Sequence, residues 1–503
     1  MKRYSFLAAA LTLVFAACMK DKGNYDYNEI NEATITNIPG TVSGIFGDTL
    51  TLRPELHFTQ DAGDGSDTTL YSHKWVIFFD NKITTIASTR DFNQPLNNIN
   101  TGTYSAAYMV KDKKSGVTYH KYFTLIVTTA AYEGWFVLGK SGDSSRLDFV
   151  GFDGVSYDSK RMYTDVLEQF NSEYPRPIGK PLGLHTASKN RDYTIMISTD
   201  KGSNSLDRNT LKWDRTKNIA YLCFGTVPKD FAPTMFWSVF TNYHMYDKGT
   251  IYTYTNATLF NMGAPANQLA NEPRPFRASP YFNVGTTAGL STSLVMFDMD
   301  KKRFAKQIIR TQGVDAYAVP FNNPSGAKFD FNNVGMDLVW MSRSYIGYNI
   351  FCVLKNSAGE YYFALFNESS SEQLIFQKMN ISALDANSLI VADPQWSTLY
   401  FSSGNKLYAY YPDANQERMI QDFGEKITYL FFPTNIPSAK VYDVFRTKLL
   451  VSTFDASKPE TGGKLRFFQT FNQGAPTQIT HVETLTGFGE VVGAQFRSRA
   501  GGY

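Results

Sequence analysis

The chain is poor in the residues that build covalent or metal-held frameworks. Its 503 residues include 3 cysteines, too few and too scattered for a disulfide scaffold or a metal cluster. Two of them, Cys223 in Tyr-Leu-Cys-Phe and Cys352 in Ile-Phe-Cys-Val-Leu, sit in apolar, strand-like runs. A disulfide between them is one outcome in an exported protein; two free thiols buried in a β core are the favoured reading. The 6 histidines (His57, His73, His120, His185, His244 and His481) lie far apart and never form His-x3-His or His-Glu-x-x-His. That excludes the zinc-protease signature. Gly-x-Ser-x-Gly is missing too, so a nucleophile-elbow hydrolase finds no support. Charge of one sign is also lacking: 49 Lys and Arg face 46 Asp and Glu, a net of +3, with no basic tract of five or more. Nothing therefore points to a nucleic-acid partner. The N-terminal apolar stretch, residues 6–17, is too short to cross a bilayer as a helix.

What is present reads as all-β. Hydrophobic residues make up 43% of the chain, enough to fill a core, and aromatics reach 15%, with Phe and Tyr far outnumbering Trp. Scattered Gly, Asn, Ser and Thr supply turns between short strands.

The first residues supply an address. Met1-Lys2-Arg3-Tyr4 is a basic start, followed by the apolar stretch and then Phe15-Ala16-Ala17-Cys18. This resembles the lipobox of bacterial lipoproteins, in which small residues precede the lipidated cysteine. The resemblance implies a signal peptide over residues 1–17 and lipidation at Cys18, with several acyl chains giving an anchor that hardly dissociates. Residues 18–35 then read as a polar tether. Their charged start, Met-Lys-Asp-Lys, resembles the surface-export signals of Bacteroidetes lipoproteins.

Residues 36–130 carry short strands separated by turn signals, which predicts an immunoglobulin-like sandwich. Trp75 is its expected core tryptophan and Tyr104 its corner tyrosine. Trp75, Gly102-Thr-Tyr104 and Val110-Lys-Asp112 together resemble the PKD-like family. The family's Trp-Asp-Phe-Gly-Asp-Gly is replaced, since Val-Ile-Phe follows Trp75. A lipobox, a PKD-like domain and a large β-rich remainder resemble the PKD-like lipoproteins of Bacteroidetes. The resemblance implies an outer-membrane, surface-exposed protein partnered by a TonB-dependent transporter and its SusD-type lid (a SusC/SusD-type system), with peptide or glycan as cargo.

From residue 131 to 503 an apolar strand, a turn and an aromatic-rich strand recur. Copies begin near residues 134, 192, 235, 293, 338, 398 and 448. Their spacing of about forty to sixty-five residues suits four-stranded blades. The expected architecture is a β-propeller, seven-bladed in preference to six or eight. Its closing strand is Phe488-Gly-Glu-Val-Val-Gly-Ala-Gln-Phe496, which echoes Phe423-Gly-Glu and the strand after it. That last strand needs a partner, and the hairpin at residues 135–140 and 147–152 is the expected one.

Several motifs have to be weighed. Gly134-Trp-Phe-Val-Leu-Gly139-Lys140-Ser141 spells a phosphate loop, but its bulky interior is a strand and no helix follows, so it is rejected. Ser198-Thr-Asp200-Lys-Gly202 partly resembles the Asp-box turn of sialidase-type propellers, with Asn204 and Ser205 where that box has Thr and Trp. Asp298 and Asp300 read as solvated turn carboxylates. Asp61, Asp64 and Asp67 have a spacing open to calcium, a polar loop being the preferred reading. Trp237 with Tyr243 and Tyr246, and Trp340 with Tyr345 and Tyr348, read as aromatic loop clusters able to stack on sugars or peptides. No catalytic residue, metal site, cofactor or ligand-binding residue is assigned. The expectation is a non-catalytic binding or scaffolding subunit of the uptake system; the alternative is a propeller glycosidase or lyase.

Overall fold

The computed structural model describes residues 29–131, 133–152, 157–186, 195–207, 210–239, 242–254, 260–284, 291–310, 313–343, 349–433, 444–445, 447–470 and 478–497. Cys18, Tyr345 and Tyr348 lie outside them. The chain divides into two compact units, the first ending at Val127 and the second starting at Thr128. Among the described residues α-helix is confined to the four-residue turn Val166–Gln169.

The first unit is a β structure around one five-stranded antiparallel sheet. Its strands run, edge to edge, Thr41–Ile45, Thr118–Thr128, Gly102–Asp112, Tyr71–Phe79 and Lys82–Ala87. Two strand pairs, Ala33–Thr36 with Glu55–Phe58 and Thr49–Leu52 with Phe92–Pro95, accompany it. Period-two alternation puts Tyr104, Ala106, Tyr108 and Val110 on one buried face. Those side chains share a core with Ile35, Leu56, Phe92 and Leu96 of the strand pairs and the segments beside them. Trp75 lies at its centre with no exposed surface. The Phe92 ring meets it edge-on at 5.5 Å, and the indole N–H donates to the Thr89 carbonyl at 3.0 Å. The Tyr104 hydroxyl donates to the Asn100 carbonyl at 2.6 Å, four residues upstream, which is the bond of a tyrosine corner. Asp112 closes the turn that follows, accepting from the Lys114 backbone N–H at 2.8 Å and the Ser115 hydroxyl at 2.9 Å.

The second unit repeats a simpler device. Its described residues form seven antiparallel sheets of three or more strands and one two-stranded parallel pair. Six of the seven take their strands consecutively from the chain. The exception is the first, where Gly134–Ser141, Ser144–Phe152 and Tyr157–Tyr163 are joined by Glu490–Arg497 from the far end of the sequence. Trp135 pairs with Phe496 and Val137 with Ala494. The strand begins at Glu490; Phe488 belongs to the preceding strand, Thr480–Phe488, with Gly489 as the connector.

Burial on both faces explains why the middle strands read as continuous apolar runs. In Asn349–Lys355, Ile350, Cys352 and Leu354 pack with Phe297 and Phe304 of the fourth sheet. The alternate residues Phe351 and Val353 pack with Leu399 and Phe401 of the sixth. The same division recurs between sheets six and seven and between one and two. Sheets seven and one share a cluster in which Trp135 touches Phe445, Phe467 and Phe496 at ring distances of 5.5, 5.3 and 5.4 Å.

The motifs settle accordingly. Residues 134–141 are a paired strand, with no phosphate loop. Cys223 and Cys352 are free, the latter fully buried and the former partly so. Asp61, Asp64 and Asp67 do not converge: each accepts from a backbone N–H two residues on, those of Gly63, Ser66 and Thr69. Asp300 is a surface turn residue paired with Arg277 at 2.7 Å, but Asp298 is not solvated. It is 1% exposed and accepts from the Asp300 and Lys301 amides and from Arg303 Nε at 2.9 Å. Its burial is sustained because every bond it makes is to a donor. Trp237 and Trp340 are strand residues, not loop residues; Trp340 is core, packed with Phe351 and Phe363.

Candidate functional site

A cleft of about 380 Å³ opens in the second unit between the connection that enters the second sheet and the connection that leaves it. The entering segment, residues 164–180, starts with the short helix Val166–Gln169 and then turns through left-handed Asn171 and Glu173. Those turns set Tyr174 and Ile178 inward, leaving Pro175 and Pro177 as the outer wall. The leaving segment is a chain of caps. Asp207 accepts from the Thr210 amide and hydroxyl, both at 2.8 Å. Asp214 caps the 3-10 turn Arg215–Lys217, and Asn218 caps Ile219–Leu222. The two segments are tied where the Trp213 amide donates to the Ser172 carbonyl at 2.6 Å, and again by the Ser172 hydroxyl on the Leu211 carbonyl.

Asn204, on the strand Gly202–Leu206, organises the floor. Its side-chain oxygen accepts the Trp213 indole N–H at 3.0 Å and the Asn218 amide at 3.1 Å. Both lone pairs are used, and the indole is held in one orientation. The Asn218 oxygen is used as well, accepting from the Ala220 amide at 3.0 Å. Tyr174 is 5% exposed; its ring centroid lies 6.5 Å from that of Trp213. Its hydroxyl makes no hydrogen bond of ordinary geometry. Burial pushes the phenol up, with the neighbouring Asn204 side chain pulling the other way, so it stays a protonated donor at neutral pH. Tyr221 stands exposed at the rim.

Lys201 and Arg215 complete the lining. Lys201 projects from the turn between Ile195–Thr199 and Gly202–Leu206, the Asp-box-like segment of the sequence. That turn is docked by Asp200, whose carboxylate accepts from the Lys180 amide at 2.8 Å. No described carboxylate lies within 4 Å of either cation, whereas neighbouring Lys180, Lys212 and Arg176 are paired with Asp143, Glu173 and Asp165.

The lining carries no carboxylate, histidine, cysteine or serine side chain. The carboxyls that burial pushes upward sit elsewhere. Asp148 is gripped by Arg146 at 2.9 Å, Asp247 accepts from the Ala232 amide, and Asp393 from the Gln395 amide. Sequence reading touched this site at Asn204 and at the turn beside it, and missed Tyr174, Trp213, Tyr221 and Arg215. The available signal was Trp213 between two capping acids, Asp207 and Asp214, in a segment without strand alternation.

Among its described residues the chain is all-β with almost no helix, and its N-terminal domain is PKD-like. Residues 18–176 match the model of the PKD-like family, a span that continues into the first strands of the second unit. No curated protein sequence matches the chain. Among solved structures it is similar to a quinoprotein alcohol dehydrogenase-like protein from Bacteroides thetaiotaomicron, at 12% identity and a TM-score of 0.40, covering 92% of this chain and 97% of that one. It is also similar to the periplasmic gluconolactonase of Pseudomonas aeruginosa, at 13% identity and a TM-score of 0.41, covering 73% of this chain and 99% of that one. No activity is carried over from either.

Proposed function

We propose that this protein is a surface-exposed outer-membrane lipoprotein, held by acyl chains on Cys18, that binds a nutrient polymer without altering it. It presents that polymer, glycan or peptide, to a TonB-dependent transporter of SusC/SusD type. The second unit is read as a seven-bladed β-propeller sewn shut by Glu490–Arg497. Support for the propeller is the run of seven sheets, each sharing apolar clusters with its neighbours in the chain, and the cluster joining the seventh to the first. The PKD-like domain serves as spacer or docking module.

The observation that carries the binding function is the cleft itself. The Trp213 plane, held by its hydrogen bond to Asn204 and flanked by amide side chains and the Tyr221 ring, supplies contact area at low entropy cost. A glycosidase of the usual kind would need a pair of carboxylates beside the ligand, and the lining of this cleft carries no carboxylate.

Two measurements test the proposal. Affinity purification of the lipoprotein from native membranes should recover transporter components; recovery without them removes the partnership. Incubation with glycan and peptide libraries should give retention without turnover, and product formation would favour the enzyme instead. Cys18→Ser should release the protein from the membrane fraction.

A further inference from the structure

The cleft is rich in donors and poor in acceptors, and this names its ligand class. The Asn204 and Asn218 side-chain oxygens are already spent on Trp213, Asn218 and Ala220. What remains at the open side of the cleft is the Tyr221 hydroxyl, the Lys201 ammonium and the Arg215 guanidinium. The carboxylate on the same connection, Asp214, is turned onto the Thr216 amide at 2.7 Å and the Thr216 hydroxyl. Those hydrogen bonds, and then Lys217 and Arg215 nearby, hold its carboxyl below the usual range. A ligand matched to this lining brings acceptors and negative charge, together with a flat apolar face for Trp213 and Tyr221.

We propose that the cleft binds an acidic saccharide, a sugar ring bearing a carboxylate or a sulfate, with the acid between Lys201 and Arg215 and the ring against Trp213. This rests on the binding function proposed above and sharpens it. A guanidinium beside an ammonium suits both acids: Arg grips carboxylate or sulfate oxygens in a fork, while Lys adds a mobile point charge. The sugar face is favoured over an extended peptide because the indole is locked by Asn204 rather than free to adapt.

The test uses the detergent-solubilised full-length protein and isothermal titration with four probes. These are oligogalacturonides, chondroitin sulfate oligosaccharides, uncharged galactan oligosaccharides and polyglutamate. One or both acidic sugars should bind, more weakly as salt rises. The paired variant Lys201→Ala with Arg215→Ala should weaken that binding at least ~10-fold. Lys201→Arg with Arg215→Lys should retain most of it, and Trp213→Leu should weaken it at unchanged salt dependence. Both cations are exposed, so thermal melts of these charge variants should overlay the parent. Galactan bound as well as the acidic sugars, unaffected by the charge variants, overturns the acidic class and leaves the binding function standing. Polyglutamate bound as tightly as the sugars and indifferent to Trp213→Leu overturns the saccharide. Retention of no probe, in a protein that also retains nothing from wider libraries, overturns both.

Discussion

His244 has no exposed surface, and its Nδ1 lies 3.0 Å from the Thr253 hydroxyl. Burial lowers its pKa to about 3, because an imidazolium there would lose its hydration. An unfolded chain titrates near ~6.5. Above that value both states are neutral; below it the unfolded state takes up a proton that the folded state refuses. Stability should therefore fall from pH 6.5 toward 3 by ~1.4 kcal/mol per pH unit for this residue alone. Urea midpoints at pH 7 and pH 5 should show the drop, and His244→Gln should flatten it; an unchanged slope would remove His244 from the account. Phe496 is the matching apolar case. It sits 4.6 Å from the Phe445 ring and 5.4 Å from Trp135. Phe496→Ala should cost ~3–5 kcal/mol by equilibrium unfolding. At this scale Trp75 and Tyr104 were readable because one pattern names both their type and their spacing. Asp298 was not, since burial of a turn carboxylate depends on an arginine brought in by the adjoining strand.

Connections between sheets explain the internal echo at the level of elements. Phe423-Gly-Glu and Phe488-Gly-Glu both follow the last strand of one sheet or close it, and both lead into the first strand of the next. Gly489 is required for a steric reason: a Cβ there would stand 2.3 Å from the Lys140 carbonyl oxygen. Gly489→Ala should displace Glu490–Arg497 from Gly134–Ser141 and raise amide exchange along both strands; protection equal to the parent would show that the approach is not rigid. Asn204→Ala should leave the Trp213 indole without its acceptor, at a cost of ~1–3 kcal/mol for a partly buried donor. A shift in urea midpoint at unchanged slope would measure that loss. Strand positions were legible from apolar runs and turn residues. The cleft was not, since its walls are loops whose side chains meet only after folding.

For the whole molecule, one pairing dominates. Glu490–Arg497 reaches back more than three hundred residues to Gly134–Ser141, and it carries Val491, Ala494 and Phe496 into the cluster around Trp135. Ending the chain at residue 487 should expose that cluster and lower the melting temperature well beyond the effect of Phe496→Ala alone. If the shortened protein melts with the intact one, the seven-sheet assembly is not held together at this seam.

The sequence by itself determined the all-β class, the PKD-like domain with Trp75 and Tyr104 in its core, and the partnership between the last strand and the first hairpin. These follow from local pattern and from the need to pair every backbone group. Only the tertiary structure decided which face of each strand meets which neighbour, that Asp298 is buried, and that Trp213, Asn204 and Lys201 share a cleft. Those depend on loops converging in space, where hydrogen-bond geometry rather than residue order selects the partners.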